Sequence, residues 1–263
     1  VYNGVLKLDL GNMVWGAVLV RIGLAWMLAA LLSVFVGVHL RIGIAVAILL
    51  AHWAVCVLIA APDASGLDPL SAKGGWVDRV LMPGRLTQPG IISNQGVFST
   101  LPAVVTAMLG IFAGELLRRK DLSGNRKALM LAIAAVVLAV AGLIVAYGFG
   151  RYSMPLNKIL WSSSFTLTVG GYSAAMLALF YWLIDVTGWW KRTLFFRVIG
   201  MNSLTIYMAN AIVSFSAIGA FFAGGLAECL PSEWGCVVLS AAMVAAEWLF
   251  LYFLYRQKIF LKV

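Results

Sequence analysis

The stretch LLRRKDLSGNRKALMLAIAAVVLAVAGLIVAY, residues 116–147, decides the fold. Its loop, residues 118–127, carries five basic side chains and one acid; the next twenty residues, 128–147, carry no charge at all. A helix rises about 1.5 Å per residue, so such a run reaches across a hydrocarbon core of roughly 30 Å. Apolar and polar residues do not alternate along it, which argues against a barrel strand. The basic loop sets the orientation, because Lys and Arg collect on the cytoplasmic side of a membrane.

Working outward, hydrophobic runs of similar length recur over residues 14–38, 42–61, 99–118, 127–148, 162–184, 199–222 and 235–255. The chain is 63% hydrophobic and 11% charged, against about 45–50% and 25% in soluble domains. The reading is an all-α, polytopic membrane protein with about seven transmembrane helices, forming one domain over 1–263. The formal charge of +9 does not point to nucleic acid, because the Lys and Arg sit mostly at helix ends, where topology uses them. Alternation from the 118–127 loop puts the N-terminus outside and the C-terminus inside. It makes 62–98 an extracytoplasmic loop, rich in Gly, Pro, Asp and Ser and long enough to be functional. The opening VYNGVLKLDLGN reads as the end of an earlier helix and a loop, so the chain is expected to be incomplete at its N-terminus. No internal repeat supports an inverted-repeat transporter.

Certain polar residues stand out against this background. Arg21 lies within the first run, where an arginine faces a partner or a wet cavity unless it snorkels to the interface. In the sixth run Ser203, Tyr207, Asn210 and Ser214 recur at helical spacing, beside Asn202, and predict either a cavity wall or interhelical hydrogen bonds. Small residues from Ser99 to Ala113 predict a packing seam on the third run, and Glu115 is expected to pair locally with Arg118 or Arg119. His39 and His52 do not form a haem or metal site. Cys229 and Cys236 flank the last outer loop, either bridged or as two free thiols. MPLNKILWSSSF, residues 154–165, crowds Asn157, Lys158, Trp161 and three serines onto the mouth of a span. Interface anchoring and the holding of a polar ligand both account for it.

GVFSTLPAVVTAMLGIFAGELLR, PLNKILWSSSF, YWLIDVTG, GMNSLTIYM and LYRQKIFLKV follow one another in this order. With YNG and VRIGLAWMLAALL near the start, the chain resembles the heparan-α-glucosaminide N-acetyltransferase family and its bacterial relatives, which are transmembrane acyltransferases. The resemblance implies transfer of an acyl group, usually acetyl, from cytoplasmic acetyl-CoA to a sugar or glycan on the far side. It implies membrane lipid as surroundings, a bacterial inner membrane as location, and no metal or haem. About ten spans are expected in the complete protein. Where the family carries Asp-Pro-Glu-Gly, this chain has Ser93-Asn94-Gln95-Gly96, so no acid–base duty carries over to that motif. The family's histidine belongs upstream of YNG, which leaves the catalytic residue unassigned. On this reading the acceptor meets Asn94, Gln95, Ser99, Asn157, Lys158, Trp161 and Ser163. The acyl-CoA meets Arg21, Asn202, Ser203, Tyr207 and Asn210, with Arg118, Arg119, Lys191, Arg192 and Arg197 as the pool for its phosphates. A transporter or flippase for a sugar-containing substrate is the alternative.

Overall fold

The structure is a computed structural model that describes residues 18–58, 96–189 and 193–260. Among these residues it is helical, without strands. Six helices among the described residues are long and apolar enough to cross a membrane, in agreement with the polytopic all-α reading. The chain divides into two compact units, Val1–Trp182 and Leu183–Val263.

The first unit contains α1 (Val18–Phe35), α2 (Val38–Leu58), α3 (Val97–Arg118), α4 (Gly124–Leu143) and α5 (Ser163–Tyr181). Two cross-links give their directions. Near the start of α1, Arg21 donates to the carbonyl of Ser99 at the start of α3 (3.3 Å). Near the start of α2, Arg41 pairs with Glu115 near the end of α3 (2.8 Å). Helices α1 and α3 therefore run parallel, with α2 antiparallel to both. The unit thus has an Arg119 end and a Lys158 end. Ala25, Ala29, Ala45, Ala103 and Val104 form the buried contact between these helices, as expected where close backbone approach replaces a hydrophobic driving force. The packing seam predicted on α3 is present in its first half, where Ser99 and Ala103 are buried. A tighter seam joins α4 to α5. A Cβ added at Gly171 would sit 2.7 Å from the Ala135 carbonyl oxygen, so only glycine fits there.

In the second unit the expected sixth span is not one helix. Residues 199–222 fall across α6 (Leu194–Met201), α7 (Ser203–Ala209) and α8 (Phe215–Glu228), and α9 (Ser232–Arg256) follows. Asn202 interrupts the first pair at φ −129°, ψ 28°. Ser214 ends the second break by capping α8, its hydroxyl accepting from Ala217 N–H (3.4 Å). Short polar side chains compete for neighbouring backbone groups, and here they break the helix where spacing alone predicted a continuous stripe. Helices α8 and α9 pack closely at Gly219, whose added Cβ would lie 2.7 Å from Met243 N. On the other side of α9, Trp248 stacks against Phe195 and Tyr252. Cys229 and Cys236 are free thiols, so the bridged alternative is not the one found. The segment 62–98, expected to be an extracytoplasmic loop, lies almost wholly outside the described residues.

Candidate functional site

Residues 154–165 build one wall of the site, and most of their polar atoms close the chain on itself. Met154 and Leu160 are buried, and Met154 N–H donates to the Val145 carbonyl, in the π turn that follows α4 (2.9 Å). The Asn157 side-chain oxygen accepts from the backbone N–H groups of Ile159 (2.9 Å) and Leu160 (3.0 Å), an Asx turn. Ser162 caps α5 by accepting from Phe165 N–H (3.2 Å), and also accepts from Asn157 N–H (3.1 Å). The hydroxyls of Ser162 and Ser164 both reach the Pro155 carbonyl (3.1 and 3.2 Å). Ser163 donates to the Leu49 carbonyl of α2 (2.8 Å) and lies 3.4 Å from His52 Nδ1. The His52 ring stacks on Phe98.

This closure turns Trp161 inward. Its backbone sits at φ 57°, a left-handed conformation that costs a bulky residue on the order of 1–2 kcal/mol and persists only where its surroundings enforce it. The indole N–H donates to Thr106 Oγ1 of α3 (3.1 Å). The Thr106 hydroxyl in turn donates to Pro102, one helical turn back (3.3 Å). The Arg21 guanidinium lies 4.1 Å over the indole ring, a cation–π contact that offsets part of the penalty for a cation at this depth. Phe165 makes a T-shaped contact with the same indole, with ring centroids 5.1 Å apart.

Two cavities flank this group. One, about 770 Å³, is lined by Arg21, Trp26, Ala103, Thr106, Lys158 and Trp161 among others. The second, about 660 Å³, is lined by Thr106, Gly110, Glu115, Arg119, Gly170 and Ser173 among others. They approach from opposite ends of the unit, and Thr106 lines both. At the mouth of the second, Arg119 donates to both carboxylate oxygens of Asp121 (3.0 and 2.5 Å). That hydrogen bonding holds the Asp121 carboxyl below, and the Arg119 guanidinium above, their ordinary ranges. Glu115 pairs across helices with Arg41, so the local pair expected with Arg118 or Arg119 is replaced. Arg41 is buried, and a half-buried carboxylate on the neighbouring helix answers it.

The residues named from sequence distribute unevenly. Lys158 and Trp161 line the first cavity. Ser99 is buried with its hydroxyl on the Gly96 carbonyl (3.1 Å). Ser163 is buried on Leu49, and the Asn157 oxygen serves its own turn. Arg21 joins Trp161 in the first unit, whereas Asn202, Ser203, Tyr207 and Asn210 belong to the second. There Asn202 is buried at the helix break, while Ser203, Tyr207 and Asn210 are exposed. Asn94, Gln95, Lys191 and Arg192 lie outside the described residues. Sequence reasoning did not pick out Thr106 as a hydrogen-bond acceptor for Trp161, since a lone threonine on a small-residue face carries no such signal. Arg41 carries no such signal either, because it precedes the hydrophobic run 42–61 by one residue, whereas α2 begins at Val38.

Over 183 residues, 64% of its length, the chain is 27% identical to heparan-alpha-glucosaminide N-acetyltransferase of Homo sapiens. It resembles these transferases in sequence, as its motifs indicated. The Mus musculus protein of the same name is 28% identical over 182 residues, again 64% of this chain. Each match covers 25% of the relative, so the chain spans about a quarter of their length. No family model matches the chain.

Proposed function

We propose that this protein is a transmembrane acyltransferase of the bacterial inner membrane. It moves an acetyl group from acetyl-CoA on the cytoplasmic, Arg119 side to a sugar or glycan acceptor on the Lys158 side. The observation that carries the reading is the pair of cavities that approach from opposite ends and share Thr106. Coenzyme A is too highly charged to cross a bilayer, whereas its slender pantetheine arm fits an apolar channel. Thr106 lies ~20 Å along α3 from Arg119, within the span of a core of roughly 30 Å, so donor and acceptor meet inside the protein. The names of the two relatives support the reaction class.

The division of labour follows from the linings. Arg119 and Arg118 attract the donor's phosphates, and the apolar walls of the second cavity take its arm. Trp161 supplies a stacking face for a sugar ring, and Lys158 and Arg21 supply cations for its oxygens. In the reaction the acceptor's amine or hydroxyl adds to the thioester carbonyl, the C–S bond breaks, and coenzyme A leaves as the thiol. Arg21 and Lys158, which line the same cavity, supply the positive charge that stabilises the oxyanion formed between these steps.

The test uses the full-length protein in sealed proteoliposomes, with acetyl-CoA on the Arg119 side and an amino sugar on the other. Acetylated sugar on the Lys158 side, with coenzyme A released opposite, is the expected result. Movement of unmodified sugar without thioester loss would replace this reading by the carrier.

A further inference from the structure

We infer that Trp161 is the partition between the two cavities, latched by Thr106 and Arg21, and that it keeps water on the Lys158 side away from a thioester in the Arg119-side cavity. Part of this rests on the acyltransferase reading, namely the identity of what the partition protects. The partition itself rests on geometry alone.

Four observations converge on this residue. First, Thr106 lines both cavities while Trp161 lines the Lys158-side cavity only. The indole therefore stands at the point where the two would join. Second, its N–H is fixed to that same Thr106 (3.1 Å), so the largest ring at the junction is tied to the residue that marks it. Third, the guanidinium of Arg21 covers the ring face at 4.1 Å, and Arg21 is itself tethered to the Ser99 carbonyl. The ring is thus held from α1 and α3 together. Fourth, Trp161 occupies the left-handed region at φ 57°, between an Asx turn that closes on Leu160 N–H and the Ser162 cap of α5. Local sequence preference alone does not put a tryptophan there. The surrounding hydrogen bonds do, and their effect is to drive the indole toward Thr106 rather than out to the interface. An anchoring tryptophan would point the other way, with its N–H at the headgroups.

The chemistry gives such a partition a purpose. A thioester open to water hydrolyses: water adds to the carbonyl, the C–S bond breaks, acetate and the coenzyme A thiol form, and the proton passes to solvent. A closed latch suppresses this until an acceptor, bound against the indole, displaces the Trp161–Thr106 hydrogen bond.

The experiment uses the full-length protein with every native cysteine, Cys56, Cys229 and Cys236 among them, replaced by alanine and Gly110→Cys added as a reporter. Gly110 lines the Arg119-side cavity, and a Cβ there meets nothing within 4 Å. A small, membrane-impermeant thiol reagent is applied from one side at a time. With Trp161 intact, the reporter reacts from the Arg119 side and is protected from the Lys158 side. Trp161→Ala is expected to raise the Lys158-side rate at least ~10-fold. Thr106→Val keeps the volume, removes the latch and leaves the strained loop untouched, and is expected to raise that rate about 3-fold. Unchanged Lys158-side rates in both variants would overturn the partition. Acetyl-CoA hydrolysis without acceptor is measured in parallel and should rise with the labelling rate. Raised labelling with unchanged hydrolysis would keep the partition and remove the donor from that cavity, so the two readings fail separately.

Discussion

Arg41 and Glu115 offer a test of the first unit that needs no substrate. The two side chains differ in burial: Arg41 is 8% exposed and Glu115 is 45% exposed. At about 4 Å between charge centres and an effective dielectric constant near 20, their attraction is ~4 kcal/mol gross, most of which is offset by the desolvation of Arg41. Removing either partner therefore has unequal consequences. Glu115→Leu strands a buried guanidinium, whose Nε already has no hydrogen-bond partner among the described residues. We expect a loss of about 2–3 kcal/mol, near the insertion penalty of an arginine in a membrane helix. Arg41→Met leaves a carboxylate that water reaches, and should lose under ~1 kcal/mol. Arg41→Met with Glu115→Leu should return close to the starting stability, because no charge is left alone. Thermal unfolding of the detergent-solubilised full-length protein, followed by tryptophan fluorescence, reads these as Tm shifts of roughly 2–4 °C per kcal/mol. Equal losses in the two single variants, or additivity in the double, would refute the pairing and with it the register of α2 on α3.

Three further outcomes follow from the site. Lys158→Met keeps the apolar stem and removes the charge, so kcat/KM for the acceptor should fall ~10-fold for one lost interaction, with acetyl-CoA binding unchanged by calorimetry. Gly110→Leu adds a Cβ that meets nothing within 4 Å and a side chain at the wall of the Arg119-side cavity; acetyl-CoA affinity should drop at least ~10-fold while Tm holds, and undiminished affinity would move the donor elsewhere. Ser163→Ala removes the bond to Leu49 and should lower stability by about 1 kcal/mol with normal acceptor kinetics, whereas an acceptor-binding serine would show the opposite.

The long spans were legible because hydropathy over twenty residues is insensitive to detail. The run 127–148 corresponds to α4 with the π turn that extends it to Gly148, and the run 162–184 to α5 with its π turn to Val186. The sixth run failed for the same reason: averaging hid two breaks. Asn202 and Ser214 fit a polar stripe by spacing and a helix boundary by chemistry, and spacing does not choose between them. In PLNKILWSSSF the crowding of polar residues was visible, but its purpose was not. Anchoring and ligand binding each account for the segment as a whole, whereas the hydrogen bonds divide it. Asn157 and the serines shape the turn, and this turn carries Trp161 into the left-handed region. A positive φ at a tryptophan has no sequence signature, and neither does the threonine fifty-five residues away that receives its N–H.

Once those hydroxyls are committed to backbone, the charge balance of the Lys158-side cavity becomes simple. Its described lining holds two cations, Arg21 and Lys158, and no carboxylate. For an amino-sugar acceptor on the proposed reading, this matters to the nucleophile itself. Only the free amine attacks a thioester, and nearby positive charge favours that form by lowering the pKa of the bound ammonium. The acidic limb of the kcat profile reports that pKa in the complex with substrate. Removing one cation should raise it, so Lys158→Met should shift the acidic limb of kcat toward higher pH, by up to about one unit if the lost repulsion is ~1.4 kcal/mol. At a pH below the limb this shift adds to the kcat lost with the oxyanion contact; above it, only the loss of that contact remains. Lys158→Arg, which keeps the charge, should leave the limb where it is. A limb that stays fixed in Lys158→Met would mean that the amine is not bound near Lys158, or that the acceptor reacts through a hydroxyl.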